Sequence, residues 1–190
     1  MKKIAIVAFA SVLSAGAAFP QTPPSQPPQK FPLLTYLVRG QEGVQRTLVE
    51  AAELMPEEHY GFEATGETKP FGQIVAHIAL SRFGSCAAMS GKENPHKGDK
   101  EETARGKAQL VALLQEAATF CAAARQGLTE ESLTQFVSVG VNKNEVARAV
   151  FLAGDIAHAN EVYGTLAVYL RLKGLVPPST ARANRPRSSQ

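Results

Sequence analysis

The sequence predicts an all-α protein, a four-helix bundle with long interhelix connections. Apolar residues recur at three- and four-residue spacing over four long segments, which gives each helix one stripe to bury. Proline or glycine stands where these segments stop. No run of alternating apolar and polar residues is persuasive as a strand. Four such helices cover one another's stripes, which is the layer logic of a bundle.

The first residues read as a separate unit. Lys2 and Lys3 precede an apolar run, Ile4 to Leu13, and Ala15-Gly16-Ala17 offers a small-residue cleavage point. This is the pattern of a signal peptide over 1–17, and the run is too short to span a bilayer comfortably. A retained N-terminal anchor is the alternative. On the first reading the protein is exported, to the periplasm or outside the cell, and the mature chain inserts no segment into a membrane. Residues 18–30, rich in Pro, Gln, Thr and Ser, form a disordered or extended spacer before a folded domain at 31–178.

The first helix is predicted from about Pro32 to Met55, with Leu34, Leu37, Val38, Val44, Leu48, Ala51 and Ala52 on its stripe and Pro56 as its stop. Residues 57–70 lack periodicity and form a long connection. The second helix runs from about Phe71 to Met89, burying Ile74, Val75, Ile78, Ala79, Phe83 and Cys86. The third spans about Lys100 to Arg125, with Leu110, Leu113, Leu114, Ala117, Phe120 and Cys121 inward and Gly127 as terminator. Residues 128–141 are expected to hold a short helical turn capped by Thr129. The fourth helix is predicted after Asn144, read as its N-cap, to about Lys173. Gly174 and Pro177-Pro178 end it.

Composition excludes some functions. The chain of 190 residues carries 20 Lys and Arg against 17 Asp and Glu, a formal charge of +3. Loss of a leader holding two lysines lowers this to about +1. Arg182, Arg185 and Arg187 carry most of that excess in a tail over 179–190. The tail has no interleaved aromatic residues and no recognition motif, so it is expected to be a disordered, solvated terminus and not a nucleic-acid arm. Cys86 and Cys121 fall on different helices. In an oxidising compartment an even count suggests one disulfide, closing a loop of about 36 residues and worth about 4 kcal/mol in the chain-entropy model. Two buried free thiols are the alternative.

Four histidines are present. His59 and His96 lie in connections. His77 and His158 lie inside the second and fourth helices among apolar neighbours, where an imidazole without a partner is costly. Two such residues on separate helices of one bundle raise the prospect of a shared site, because bundle interiors commonly hold metals.

The chain resembles the DinB-like (DinB/YfiT) family. The carriers are Ala51-Ala52-Glu53-Leu54-Met55-Pro56-Glu57-Glu58, then Phe71-Gly72-Gln73-Ile74-Val75-Ala76-His77-Ile78-Ala79, and, at the end, His158, Tyr163-Gly164-Thr165-Leu166-Ala167-Val168-Tyr169-Leu170-Arg171 and Gly174-Leu175-Val176-Pro177-Pro178. They cover essentially all of 31–178, and the chain looks most like an exported branch with a cysteine in the second and third helices. The resemblance implies one divalent metal ion (zinc, nickel or manganese) held by three histidines. One would come from the second helix and two from the fourth as His-x-x-x-His. It also implies a homodimer, and activities that include thiol-dependent transferases and isomerases. His77 and His158 match the first two ligand positions. The third is Val162, which cannot bind a metal, so the motif is degenerate. Glu161 lies about 60° around the helix from His158 on one side, and Asp155 about 60° on the other and nearly a turn earlier. Glu161 is the stand-in third ligand of choice. The two-histidine-plus-carboxylate set it would complete is a known catalytic arrangement.

The first expectation is therefore an exported binding or structural protein of this family with a degenerate metal site. The alternative is a metal-dependent hydrolase or transferase using His77, His158 and Glu161. A carboxylate-bridged dimetal centre is excluded, because only Asp155-x-x-His158 has the needed spacing and no second copy exists.

Overall fold

Proline sets the start of three helices. Pro32, Pro70 and Pro177 hold N-cap positions with φ near −56° and ψ near 147°, and each is followed at once by helix. A computed structural model describes residues 30–103 and 105–185. These contain α1 Leu33–Leu54, α2 Phe71–Ser90, α3 Lys107–Ala124, β1 Phe136–Val139, β2 Asn144–Ala147, α4 Arg148–Leu172 and α5 Pro178–Ala183. Short helical turns lie at Glu57–His59 and Glu131–Thr134. The expected leader over 1–17, nearly all of the spacer and the last five residues of the tail lie outside the described residues. No helix among the described residues is long and apolar enough to cross a membrane.

The four long helices form a bundle in which sequential neighbours are not always spatial ones. α1 packs on α4 and α3, and α2 packs on α3 and α4. Thus α1 and α2 stand on one diagonal, and α3 and α4 on the other. The connections over 55–70 and 125–147 cross the bundle, which is why they are long. Leu48, Met55, Phe71, Ile78, Phe83, Leu114, Leu166 and Leu170 are fully buried in its centre, each contributing about 2 kcal/mol by removal from water. A second cluster of Leu37, Met89, Leu133 and Leu152 surrounds a disulfide between Cys86 on α2 and Cys121 on α3, with a Cα–Cα distance of 5.2 Å. The paired reading of the cysteines is the one the structure contains.

The ends of the helices are held by specific groups. Lys107 Nζ donates to the carbonyls of Glu53 at 2.7 Å and Met55 at 2.9 Å, which ties the start of α3 to the end of α1. Glu130 accepts from the Leu34 amide at 2.9 Å, a carboxylate at the positive end of α1. After α4, Leu175 N–H donates to Leu170 O and Gly174 N–H to Arg171 O, with Gly174 at φ 72°. This is a Schellman stop, and glycine supplies the left-handed residue it needs.

Four expectations are corrected. α3 begins at Lys107, not near Lys100. Residues 100–106 offer no apolar stripe to bury, and Gln109 Oε1 accepts from the Gly106 amide to start the helix there. Asn144 is not a helix cap but opens β2, and α4 starts behind Ala147. The segment read without strands contains a hairpin, antiparallel, with Phe136 opposite Ala147 and Val139 opposite Asn144. It turns through Gly140 and Lys143, both at positive φ. Four-residue strands are too short for alternation to stand out. Finally, residues 178–183 of the region around the expected tail form α5, which lies on α1 through Arg182 bonds to Glu50 and Thr47. Thr129 behaves as expected: its hydroxyl accepts from Ser132 N–H, and Ser132 Oγ accepts from Thr129 N–H.

Candidate metal centre

α2 and α4 run side by side, and each presents one imidazole at the seam. On α2 the less buried residues are Gln73, His77, Leu80, Ser81, Gly84, Ser85, Ala88 and Ser90, so His77 belongs to the outer side of the helix and not to its core face. On α4 His158, Glu161 and Thr165 share one edge. The two rings meet edge to face, with Nε2 to Nε2 at 3.1 Å. Both side chains are about one-third exposed, at 35% and 38%. They open into a cleft of about 260 Å³ lined also by Lys69, Ile74, Glu161, Val162 and Thr165.

A chain of polar contacts stands behind the pair. Tyr169 Oη donates to the Lys69 carbonyl at 2.8 Å and fixes the backbone two residues before α2. Lys69 Nζ pairs with Glu101, which reaches in from the α2–α3 connection. Glu101 Oε2 lies 2.5 Å from His77 Nδ1. Burial raises the Glu101 carboxyl pKa, but the hydrogen bonds from Lys69 and His77 outweigh it and hold the group below its usual range. An ionised carboxylate only accepts, so His77 donates from Nδ1 to Glu101 and turns Nε2 toward His158. On the other ring, Glu161 Oε2 lies 3.8 Å from His158 Nδ1. His77 thus has a carboxylate hydrogen-bonded to its outer nitrogen, His158 has one nearby but beyond hydrogen-bond distance, and the two inner nitrogens face each other. Metal-ligating histidines commonly have this outer carboxylate, which fixes the tautomer and raises ligand basicity.

The donor set fits a divalent ion in part. Two nitrogens bound to one tetrahedral zinc ion at 2.0–2.1 Å stand about 3.3 Å apart, close to the 3.1 Å here. Among the described residues, however, no group of three His, Cys, Asp or Glu side chains is arranged to hold a metal. Val162 is 7% exposed and forms apolar wall. Glu161, named from the sequence as third ligand, has a side chain 80% exposed and stands nearest the outer nitrogen of His158.

Other sequence candidates sit elsewhere. Asp155 does not face the cleft. It is buried against Arg82, with Oδ2 3.2 Å from Nη1, and accepts from Gln41 Nε2 at 2.7 Å. His59 closes the turn after α1. His96 lies on Phe83, ring centroids 4.4 Å apart, between Asp99 at 3.0 Å and Glu116 at 3.1 Å. Sequence reasoning missed Glu101, Lys69 and Arg82. For Arg82 a signal existed: Ile78, Arg82 and Cys86 are spaced by four, which puts a charge on the core stripe. For Glu101 there was none, because it acts from a connection.

The family model of the DinB superfamily matches residues 42–161. No curated protein matches the chain. Among solved structures, a DinB-like protein from Bacillus cereus is 19% identical, with a TM-score of 0.61, over 77% of this chain and 93% of that one. YfiT from Bacillus subtilis, described as a probable metal-dependent hydrolase with an unusual four-helix bundle topology, is 17% identical, TM-score 0.56, over 80% and 94%. A mycothiol-dependent maleylpyruvate isomerase is 16% identical, TM-score 0.57, over 72% of this chain and 61% of that one. At these identities the likeness is one of fold.

Proposed function

The chain belongs to the DinB superfamily, and on that premise we propose that His77 and His158 form its functional centre, a two-histidine site for one divalent cation in a metal-dependent hydrolase. The observation that carries this reading is the pair of Nε2 atoms facing each other at 3.1 Å, with the Glu101 carboxylate bonded to the outer nitrogen of His77. Two ring nitrogens this close call for a proton or a cation between them. A bound divalent ion would supply Lewis acidity and a water of lowered pKa. His77 and His158 would hold it. Glu101 would keep His77 in the binding tautomer, and Lys69 would hold Glu101 in place. Val162, Ile74 and Thr165 would shape the wall beside a substrate.

Zinc, nickel and manganese are the ions to test. Purified full-length protein should take up about one equivalent, and His77→Ala and His158→Ala should each lose it. Protein that stays metal-free in excess of all three would sink the proposal. The second reading is then an exported binding or structural protein with a degenerate site, in which the His158 Nε2 proton is shared with His77. Val162, an apolar side chain at the third ligand position, favours it.

We also infer that the protein works outside the cytoplasm. The leader-like pattern over 1–17 supports this, as does the Cys86–Cys121 disulfide, since such bonds persist in oxidising compartments. Mass spectrometry of the mature chain tests it: an intact Met1 on protein recovered outside the cytoplasm would refute cleavage. A homodimer is part of the same proposal and is read by sedimentation.

A further inference from the structure

The connection between α2 and α3, residues 91–106, carries no apolar side chain larger than Pro95, so burial of apolar surface does not hold it on the bundle. Among its described residues Asn94, His96, Glu101 and Arg105 are half-buried and the rest are exposed. Polar contacts hold it instead. Lys92 Nζ donates to the Ala123 carbonyl at 2.8 Å at one end, and Glu101 reaches Lys69 and His77 near the other. His96 stands between these ties. Its side chain, 20% exposed, lies on Phe83 of α2 and bridges Asp99 of the connection to Glu116 of α3.

Both ring nitrogens of His96 meet a carboxylate, Nδ1 at 3.0 Å from Asp99 Oδ2 and Nε2 at 3.1 Å from Glu116 Oε1. An ionised carboxylate only accepts, and a neutral imidazole has a single N–H. The geometry therefore requires the doubly protonated ring. A neutral ring keeps one of the two bonds and sets a lone pair against the other carboxylate. Among the described residues, Asp99 and Glu116 are the charged groups that face the ring. Asp99 also accepts from Arg105 at 3.1 Å, and α2 contributes only the uncharged Phe83. Burial lowers the pKa of the ring, but its bonds with the two carboxylates outweigh that and hold it above its usual value.

We propose that His96 is a pH-sensitive latch: as an imidazolium it ties the connection to α3 and so keeps Glu101 at His77, and on giving its proton to solvent it lets the connection and Glu101 lift away. The latch is shut below about pH 6.5 and opens as pH rises through the folded value. Asp99 and Glu116 are half-exposed, so each ion pair is modest in strength. A modest tie is enough here because no apolar contact larger than Pro95 stands behind it. Regulation of the histidine cleft is the consequence, and it rests on the two-histidine reading above; the latch itself needs no metal.

The test follows amide hydrogen exchange in the full chain, stripped with EDTA, from about pH 5.5 to about pH 9, either side of the ordinary histidine value, with intrinsic rates divided out. The amides of His96, Lys97, Asp99 and Thr103 donate hydrogen bonds and report on the connection. Their protection should fall about fivefold across the titration, the value of one such ion pair. His96→Arg keeps donors for both carboxylates at every pH. Glu116→Gln can turn its amide to suit either form of the ring. Both variants should hold the protection constant. Imidazole nitrogen NMR of the parent should show both His96 nitrogens protonated at the acid end of the range. A singly protonated ring there would overturn the proposal. So would one and the same pH dependence in the parent and both variants, or a loss of protection at His96 to Asp99 that leaves Thr103 untouched. Since no metal is present, these outcomes are separate from any failure of His77 and His158 to bind one.

Discussion

Replacing Asp155 with alanine removes the carboxylate that faces a guanidinium only 1% exposed. The substitution also strands Gln41 Nε2, whose acceptor is the same Oδ2. Breaking one side of a buried ion pair costs about 3–5 kcal/mol, because the surviving charge is left without compensation. Arg82 Nε has no hydrogen-bond partner even with Asp155 in place, so the upper half of that range is expected. For a domain of this size 1 kcal/mol moves Tm by about 2–4 °C, which gives a fall of roughly 12 °C. Asp155→Asn keeps an acceptor for Gln41 and loses only the charge, so it should cost about half as much. The double variant Arg82→Met with Asp155→Leu should unfold within about 1 kcal/mol of the parent, since no buried charge remains. Burial pushes the Asp155 carboxyl up and the Arg82 guanidinium down, each toward neutrality despite their attraction. That is the direction expected where desolvation outweighs pairing. Urea unfolding followed by circular dichroism gives all three values. A loss below 1 kcal/mol for Asp155→Ala, or a double variant less stable than the single, would refute the reasoning.

Three further outcomes are expected. Val162→His should raise metal affinity at least tenfold over the parent, read by competition with a chelating dye, because it supplies an imidazole one turn after His158 on the cleft wall; an unchanged affinity would mean the two rings do not present their nitrogens to a common point. Cys86→Ser with Cys121→Ser should lower stability by about 4 kcal/mol, and reductant added to the parent should reproduce the loss in a urea melt. Burial lowers the His96 pKa, but hydrogen bonds with Asp99 and Glu116 outweigh it and hold the ring above its usual value. Its stabilising contribution is therefore complete below about pH 6.5 and is lost as pH rises through the folded value; the unfolding free energy of the parent relative to His96→Gln should fall over that window, and a difference that grows with pH would reverse the assignment.

The parts of this fold governed by period and punctuation were legible in the sequence. α1 and α2 begin and end within about one residue of expectation because Pro32, Pro56 and Pro70 are local signals that packing does not override. The start of α3 was not legible, since Lys100 to Arg105 would extend a helix by propensity. What stops it is a connection drawn across to Lys69 and His77 by Glu101. The hairpin escaped for want of length. At the candidate centre, the two histidines could be named because imidazoles inside apolar helix stretches are rare enough to notice. Their mutual distance could not, because it depends on α2 and α4 being neighbours across a chain crossing. Asp155 was weighed as a ligand from its angle on α4 alone. Leu152, Asp155, Ala159 and Val162 share the buried stripe, and that pattern, set beside Arg82 on α2, would have put it in the core.

The crossing of the connections also orders events in time. α1 has no covering surface in the long helix that follows it. α2 and α3 can close on each other as soon as both exist, and the disulfide joins just those two. α1 shares its buried face with α3 and α4, so that face is at most partly covered until the chain has been made as far as Leu172. Native contacts of such long sequence separation slow folding relative to a bundle of consecutive hairpins. For most of its synthesis, then, part of the apolar stripe from Leu37 to Ala52 is open to off-pathway association, and it is α4 that ends that interval.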